Sequence, residues 1–184
     1  MKRLEYTIKG FVIEDRTLKE LIEDIERYSD PVKKLIWDDL CLRFDSIDCN
    51  LMDIKSPIEQ AFYLAWENSG NIYPLQRMTE QCGETVVFYP QHKVIIGAKK
   101  YYLDFFLGIY LPNNKIIKIA IECDGHDFHE KTKEQVRHDR QRERALTKEG
   151  YTVVRFTGSE IYADPGHCAD ELFEVAIKLI NQFK

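Results

Sequence analysis

The feature that most constrains the fold is a change of residue pattern in the middle of the chain. Between Tyr73 and Cys123, aromatic and β-branched segments alternate with turn residues, a pattern typical of strands. The predicted strands are 85–89, 93–96, 101–110 and 115–123. A turn at 111–114 joins the last two. Because the connections are short, we expect a largely antiparallel sheet.

Helical segments flank this region on both sides. Ser56-Pro-Ile-Glu59 opens one helix, and Asp164-Pro165 opens the last one. A capping box at 132–135 starts a highly charged helix that stops at Gly150, and a strand follows over 151–156. This order predicts an α/β (α+β) domain in which helices flank a sheet.

Residues 1–50 are expected to form an N-terminal extension that is mainly helical, and 51–184 the main domain. A capping box at 17–20 opens one helix of the extension. Asp30-Pro31 opens a second, which is predicted to run to about Phe44. A soft boundary between the two parts is expected over 45–55.

The overall charge excludes one class of protein. The chain has 26 Lys and Arg against 31 Asp and Glu, a net charge of −5, which argues against coating nucleic acid by bulk electrostatics. Its five cysteines are scattered without a Cys-x-x-Cys pair, so no zinc site is expected. No apolar run approaches the roughly 18 residues of a membrane span, and the start lacks a secretory signal. We expect a cytoplasmic protein with no membrane partner.

Two carboxylates stand where apolar residues are expected. Asp104 interrupts an aromatic strand, and Glu122 ends the next apolar strand. A charge among buried side chains is costly unless it is paired or binds metal. Magnesium prefers such oxygen ligands and leaves positions for water and a substrate phosphate. The alternative is that both carboxylates lie exposed or salt-bridged at strand ends.

The segment after Glu122 is dense in groups that bind metal or transfer protons. His129 is interpreted as a general base for a metal-adjacent water, or alternatively as an exposed loop histidine. His126 and Asp127 are weaker candidates. The side chain of Cys123 is expected in the core, which leaves its backbone carbonyl as a third metal ligand beside Asp104 and Glu122.

These residues resemble a known superfamily. The segments that carry the likeness are Asp104-Phe-Phe, Ile121-Glu-Cys-Asp-Gly125, His129, Asp139-Arg-Gln-Arg142, Leu146, Gly150-Tyr and Val154-Arg-Phe156. Their order and spacing resemble the PD-(D/E)XK restriction-endonuclease-like superfamily, and within it the very-short-patch mismatch-repair endonucleases and their bacterial relatives. The likeness runs from about Ser56 to Phe183, and it implies a restriction-endonuclease-like core, a mixed sheet flanked by helices.

The resemblance implies roles for the acidic residues. Asp104 would match the metal-binding aspartate, Glu122 the second acid, and Glu59 the acid of the opening helix, although Glu59 is equally explained as a capping-box partner. Asp124 occupies the position where the superfamily usually has a lysine. A histidine such as His129, or else Lys131 or Lys133, would then supply the missing role.

Other residues are candidates for contact with nucleic acid. Basic residues outnumber acidic ones on the charged helix, so we expect Lys131, Lys133, Arg137 and Arg140 to face a phosphate backbone. The alternative is a salt-bridged surface helix. Gln91 resembles a glutamine that precedes the aspartate strand in relatives, or else satisfies a turn.

Asp139 and Arg142 share a spacing seen in the family, which is compatible with bracing the sheet rather than touching DNA.

The function expected from the resemblance is that of an endodeoxyribonuclease acting in DNA repair or defence against foreign DNA. Its cofactor would be Mg²⁺, with Mn²⁺ as a substitute, and a metal-activated water would hydrolyse the phosphodiester bond. DNA is the expected partner, while RNA and a homodimer stay open. The alternative is a catalytically inactive nuclease-fold protein that binds nucleic acid or a protein partner.

Overall fold

The structure is a computed structural model that describes residues 5–8, 11–14, 23, 25–79, 85–125 and 133–183. The side chains of 5–8, 11–14, 39–49, 113 and 133 lie outside the description as well. By compactness the chain divides into two units, Met1–Asp48 and Cys49–Lys184. The assignment of an extension over 1–50 and a functional domain over 51–184 stays a prediction.

The N-terminal part contains two short strands and the start of a long helix. Strand β1 (Glu5–Ile8) pairs antiparallel with β2 (Phe11–Glu14), a pairing that the sequence did not predict. Helix α1 runs over Asp30–Asp53, so the expected end at Phe44 is wrong. The division between the two units, after Asp48, falls within the soft boundary expected over 45–55. Neither Gly nor Pro occurs between Pro31 and Pro57, so nothing in this stretch interrupts the helix. The predicted opening of a helix at 17–20 lies outside the described residues.

The described residues that follow α1 form, in chain order, α2 (Pro57–Ser69), α3 (Ile72–Met78), β3 (Val86–Ile96), β4 (Lys99–Tyr110), β5 (Ile116–Asp124), α4 (Lys133–Lys148), β6 (Tyr151–Thr157), α5 (Gly158–Ala163) and α6 (Pro165–Gln182). The two strands predicted at 85–89 and 93–96 are one continuous strand, β3. The short helices α3 and α5 were not predicted, since each is too short to show a helical period.

The sheet has the strand order β3-β4-β5-β6. The first three strands form an antiparallel meander, and β6 pairs parallel to β5. A parallel neighbour requires a crossover, and α4 lies between the two strands in the chain. Gly150, at φ 81°, follows α4 in the left-handed conformation predicted for it. The expected mixed sheet flanked by helices is confirmed.

The two faces of the sheet are covered by different side chains. On one face the aromatic residues of α2 pack on the sheet, with the Phe62 ring 5.4 Å from Phe105 and 5.3 Å from Phe156. On the other face Leu146 of α4 joins a buried cluster with strand residues Val87, Val94, Leu103, Phe106 and Ala120. Burial on both faces explains why the strands read as nearly continuous apolar runs. In the described part of the chain, no helix carries an apolar run long enough to cross a bilayer.

Candidate active site

Asp104 lies at an interruption in the alternation of strand side chains. Leu103 and Phe106, three positions apart on β4, belong to the same buried cluster. Val87 and Val94, seven positions apart on β3, belong to that cluster as well. On a regular strand, residues at odd separations point to opposite faces. The alternation of side chains is therefore broken on both strands. Pro90 pairs with Phe105 and His92 with Leu103, but Gln91 and Asp104, which stand opposite each other between these pairs, are not paired.

The backbone at Gln91 produces this interruption on β3. Gln91 has φ 48°, in the left-handed region that residues other than glycine rarely adopt. Its side-chain Nε2 donates to Oε2 of Glu59 at 2.6 Å, which joins the edge strand of the sheet to the first turn of α2. Strained backbone held by surrounding structure is concentrated at functional sites, so this position marks a candidate site.

Asp104 and Glu122 occupy opposite positions on neighbouring strands. Phe105 pairs with Ile121, and continuing this antiparallel register by one residue places Asp104 across from Glu122. Asp104 Oδ2 accepts a hydrogen bond from the backbone N–H of Cys123 at 2.7 Å. The two carboxylates predicted to act together are thus brought to one end of the β4–β5 ladder.

Glu122 is held by an arginine from the charged helix α4. Arg142 donates through Nη1 to Oε2 at 2.6 Å and through Nη2 to Oε1 at 2.7 Å, a bidentate pair. Arg142 also donates to the backbone carbonyl of Tyr102 on β4. Arg142 thus braces the sheet, as its spacing suggested, and it occupies both carboxylate oxygens of a residue that is 5% exposed.

Asp124 is paired with Arg155 on the parallel neighbour strand. The Nη1 atom of Arg155 lies 3.2 Å from Asp124 Oδ2, and Arg155 stands opposite Glu122 in the β5–β6 register. Both side chains are mostly buried, at 28% and 16% exposure. A guanidinium therefore lies beside the position at which the resembling superfamily carries a lysine.

Three carboxylates of the site, those of Glu59, Asp104 and Glu122, have raised pKa values. Burial, and next to it the charge of Asp104, raises the pKa of Glu59 to about 7, while hydrogen bonds from Ser56 and Gln91 oppose the rise. Burial also raises the pKa of Glu122 to about 7, against the lowering effect of Arg142. Burial raises the pKa of Asp104 as well, and the Cys123 N–H opposes it. Burial thus disfavours the ionised forms of Glu59, Asp104 and Glu122, and a bound cation would favour them.

The fit of these residues to a divalent cation is partial. Asp104 and Glu59 are oxygen donors of the kind that Mg²⁺ prefers, and each is electrostatically coupled to the cluster. Glu122 would bind a cation only by exchanging an Arg142 hydrogen bond. Within the described residues no group of three His, Cys, Asp or Glu side chains is arranged to hold a metal ion. The metal set of Asp104, Glu122 and the Cys123 carbonyl stays a prediction.

The other predicted site residues have mixed outcomes. His129 and Lys131 lie outside the described residues, as does the side chain of Lys133. Arg137 and Arg140 are exposed on α4, and their contact with nucleic acid stays a prediction.

The Cys123 side chain is 9% exposed, which confirms its expected place in the core. Ser56 makes no side-chain cap hydrogen bond, so the capping-box explanation of Glu59 is wrong. The Glu59 carboxylate accepts a hydrogen bond from the Gln91 side chain as well as one from the Ser56 side chain, and the bond from Gln91 ties the helix start to the edge strand.

The sequence did not identify Arg155 as a site residue. Its signals were a charge inside the strand Tyr151-Thr-Val-Val-Arg-Phe156 and the place of Val154-Arg-Phe156 among the segments that carry the resemblance, neither of which gave it a role. The partner of that charge depends on the parallel register of β5 and β6, which residue pattern alone does not determine.

The sequence matches a known protein-family model over the residues that form most of this site. The model of the restriction-endonuclease-like family REase_MTES_1575 matches residues 89–175. This stretch is somewhat less than half of the 184-residue chain, and it contains Gln91, Asp104, Glu122 and both arginines, while Glu59 lies outside it. No curated protein and no solved structure matches the chain. The resemblance to the PD-(D/E)XK restriction-endonuclease-like superfamily is confirmed over the matched residues, and it indicates a nuclease.

Proposed function

We propose, from a core that is restriction-endonuclease-like over residues 89–175, that the protein is a divalent-metal-dependent endonuclease that hydrolyses phosphodiester bonds in DNA. The observation that carries the proposal is the coupling of Glu59, Asp104 and Glu122 at a distorted position of the sheet. Carboxylates with raised pKa values in one cluster are a feature of functional sites.

Asp104 is the proposed principal metal ligand, with Glu59 beside it and Glu122 as an exchangeable third. The expected cation is Mg²⁺, with Mn²⁺ as a substitute, and when bound it supplies Lewis acidity and lowers the pKa of a coordinated water. The Cys123 N–H positions the Asp104 carboxylate through its 2.7 Å hydrogen bond. Gln91 positions Glu59 in the same way at 2.6 Å.

Arg155 is the proposed replacement for the superfamily lysine. Its guanidinium lies next to Asp124, at the lysine position, and its charge lowers the pKa values of Asp104 and Glu122. In this role Arg155 stabilises negative charge that develops on the phosphate oxygens. His129 remains the proposed general base, and Arg137 and Arg140 are proposed to contact the phosphate backbone.

The test is a cleavage assay on supercoiled, linear and mismatch-bearing DNA with Mg²⁺, with Mn²⁺ and with chelator. We expect cleavage that chelator stops and that Asp104→Asn lowers by more than about 100-fold. Even groups that only support a metal ligand contribute about 10- to 100-fold. The matched control is Asp53→Asn, an exposed aspartate at the end of α1, which should cleave normally. Cleavage that persists in Asp104→Asn would count against the proposal.

One observation favours a second candidate function. Both Glu122 oxygens are bound by Arg142, and Asp124 stands in place of the lysine, a combination that suits a catalytically inactive protein that binds nucleic acid. Isothermal titration with Mn²⁺ separates the two functions. Heat of ion binding that Asp104→Asn removes supports the enzyme, and DNA binding without any ion binding supports the inactive protein.

A further inference from the structure

The outer end of the β3–β4 hairpin is unusual in charge. From Thr85 to Leu103 the chain contains three lysines and neither Asp nor Glu, although the whole chain has a net charge of −5. Lys93, Lys99 and Lys100 are all exposed, and within the described residues none of them forms an ion pair. This end of the hairpin therefore presents local positive charge on an acidic protein, and positive charge attracts phosphate.

Four side chains share the exposed face of this hairpin end. Val94 and Leu103 point into the buried cluster, so their strand neighbours point the opposite way. In the register Lys93 pairs with Tyr102, and Ile95 pairs with Lys100. We call these four residues the hairpin face. Tyr102 is 59% exposed and Ile95 is 63% exposed, so a large ring and an aliphatic side chain lie in solvent between two lysines.

The hairpin face is continuous with the candidate active site. Lys93 and Tyr102 stand two positions beyond the Gln91–Asp104 position on their strands, and Ile95 and Lys100 stand four positions beyond it. At about 3.3 Å per residue the two cross-strand pairs lie about 7 and about 13 Å from the site. Arg142, which holds Glu122, also donates to the backbone carbonyl of Tyr102, so the strand segment that carries Tyr102 is fixed beside the site.

We propose that the hairpin face binds a single-stranded segment of DNA next to the bond to be cut, a proposal that rests on the proposed nuclease function. Lysines bind backbone phosphates, and an exposed aromatic ring on a sheet is a platform on which an unpaired base stacks. In a duplex the flat faces of the bases are covered by their neighbours. A protruding tyrosine and isoleucine are therefore suited to an unpaired strand.

The first test compares DNA forms by fluorescence anisotropy with the full chain in chelator, so that no cleavage occurs. We expect tighter binding of a labelled single strand than of the duplex formed with its complement. Tyr102→Ala should weaken single-strand binding by about 5- to 150-fold, since one stacked base is worth about 1–3 kcal/mol, and Tyr102→Phe should not. The control is Tyr73→Ala on α3, a tyrosine that is 69% exposed and is not part of the hairpin face.

The second test measures the lysines through salt dependence. Each phosphate contact of a single strand contributes about 0.7 to the slope of log affinity against log salt. The double variant Lys93→Gln, Lys100→Gln should therefore reduce the slope by about 1.4. Lys178→Gln, an exposed lysine on α6, should leave the slope unchanged.

Three results would overturn the proposal: wild-type binding of duplex as tight as single strand, a Tyr102→Ala effect no larger than that of Tyr73→Ala, or an unchanged salt slope. These readouts need no metal and no turnover. Selective single-strand binding without metal-dependent cleavage would refute the nuclease function and support the hairpin face. Metal-dependent cleavage without selective single-strand binding would support the nuclease function and refute the proposal for the hairpin face.

Discussion

Removal of the Arg142 guanidinium tests the electrostatics of the site most directly. In Arg142→Leu the Glu122 carboxylate loses both of its hydrogen bonds from arginine and stays buried, since its side chain is only 6% exposed. Removing one partner of a buried ion pair costs about 3–5 kcal/mol, because the remaining charge is uncompensated. Arg142 itself is 23% exposed, so we expect the lower end, about 3 kcal/mol.

The loss of stability should depend on pH, with a sign that follows from Glu122. Burial raises the pKa of Glu122 to about 7 in the folded protein, above the ordinary value of 4.5, and loss of Arg142 raises it further. In the interval between these values the folded state binds more protons than the unfolded state, so stability falls as pH rises. The cost of Arg142→Leu should therefore be largest above the folded pKa and shrink as pH falls toward 4.5.

Urea denaturation of both proteins at about pH 8 and about pH 5 measures this difference. Arg144→Leu, at an exposed position of the same helix, is the control and should change stability by less than about 0.5 kcal/mol. A loss of unfolding free energy below about 1 kcal/mol in Arg142→Leu, or the same loss at both pH values, would refute the inference that Arg142 stabilises an ionised Glu122.

Three further predictions follow from the backbone and burial of single residues. In urea denaturation Gln91→Ala should be about 1 kcal/mol less stable than Gln91→Gly, because alanine disfavours the left-handed φ of 48° at this position. Alanine and glycine at Asn114, where φ is 58°, should differ in stability by a similar amount. Equal stabilities would contradict the left-handed backbone. Gly108→Ala should lower the free energy of unfolding by about 1–3 kcal/mol, since its Cβ would lie 2.9 Å from a side-chain carbon of Val87; unchanged stability would argue against such close packing. Burial and a nearby carboxylate raise the pKa of Glu59 to about 7, so in chelator stability should rise as pH falls from about 7 toward 4.5, and Glu59→Gln should flatten that dependence in a pH series of urea midpoints. A variant with the full wild-type dependence would contradict the raised pKa.

The candidate site could be predicted from the sequence only in part. Asp104 and Glu122 were recognisable because a carboxylate in an apolar strand is anomalous wherever the strand lies. The ion pair of Glu122 with Arg142 joins residues 20 positions apart and exists because α4 packs back on the sheet. The unusual backbone of Gln91 left no trace in its residue type, since glutamine has no preference for positive φ.

The same division applies to the fold. The sequence by itself determined the order of the main helices and strands, the start of α6 at Asp164 and the left-handed turn at Gly150, because periodicity and capping are properties of a few adjacent residues. Tertiary structure decided that β6 pairs parallel to β5 and that Arg155 lies beside Asp124. It also decided that the alternation of side chains is broken on β3 at Gln91 and on β4 at Asp104. These features depend on which distant segments pack together, and packing is settled by the burial of whole faces rather than by the preference of any single segment.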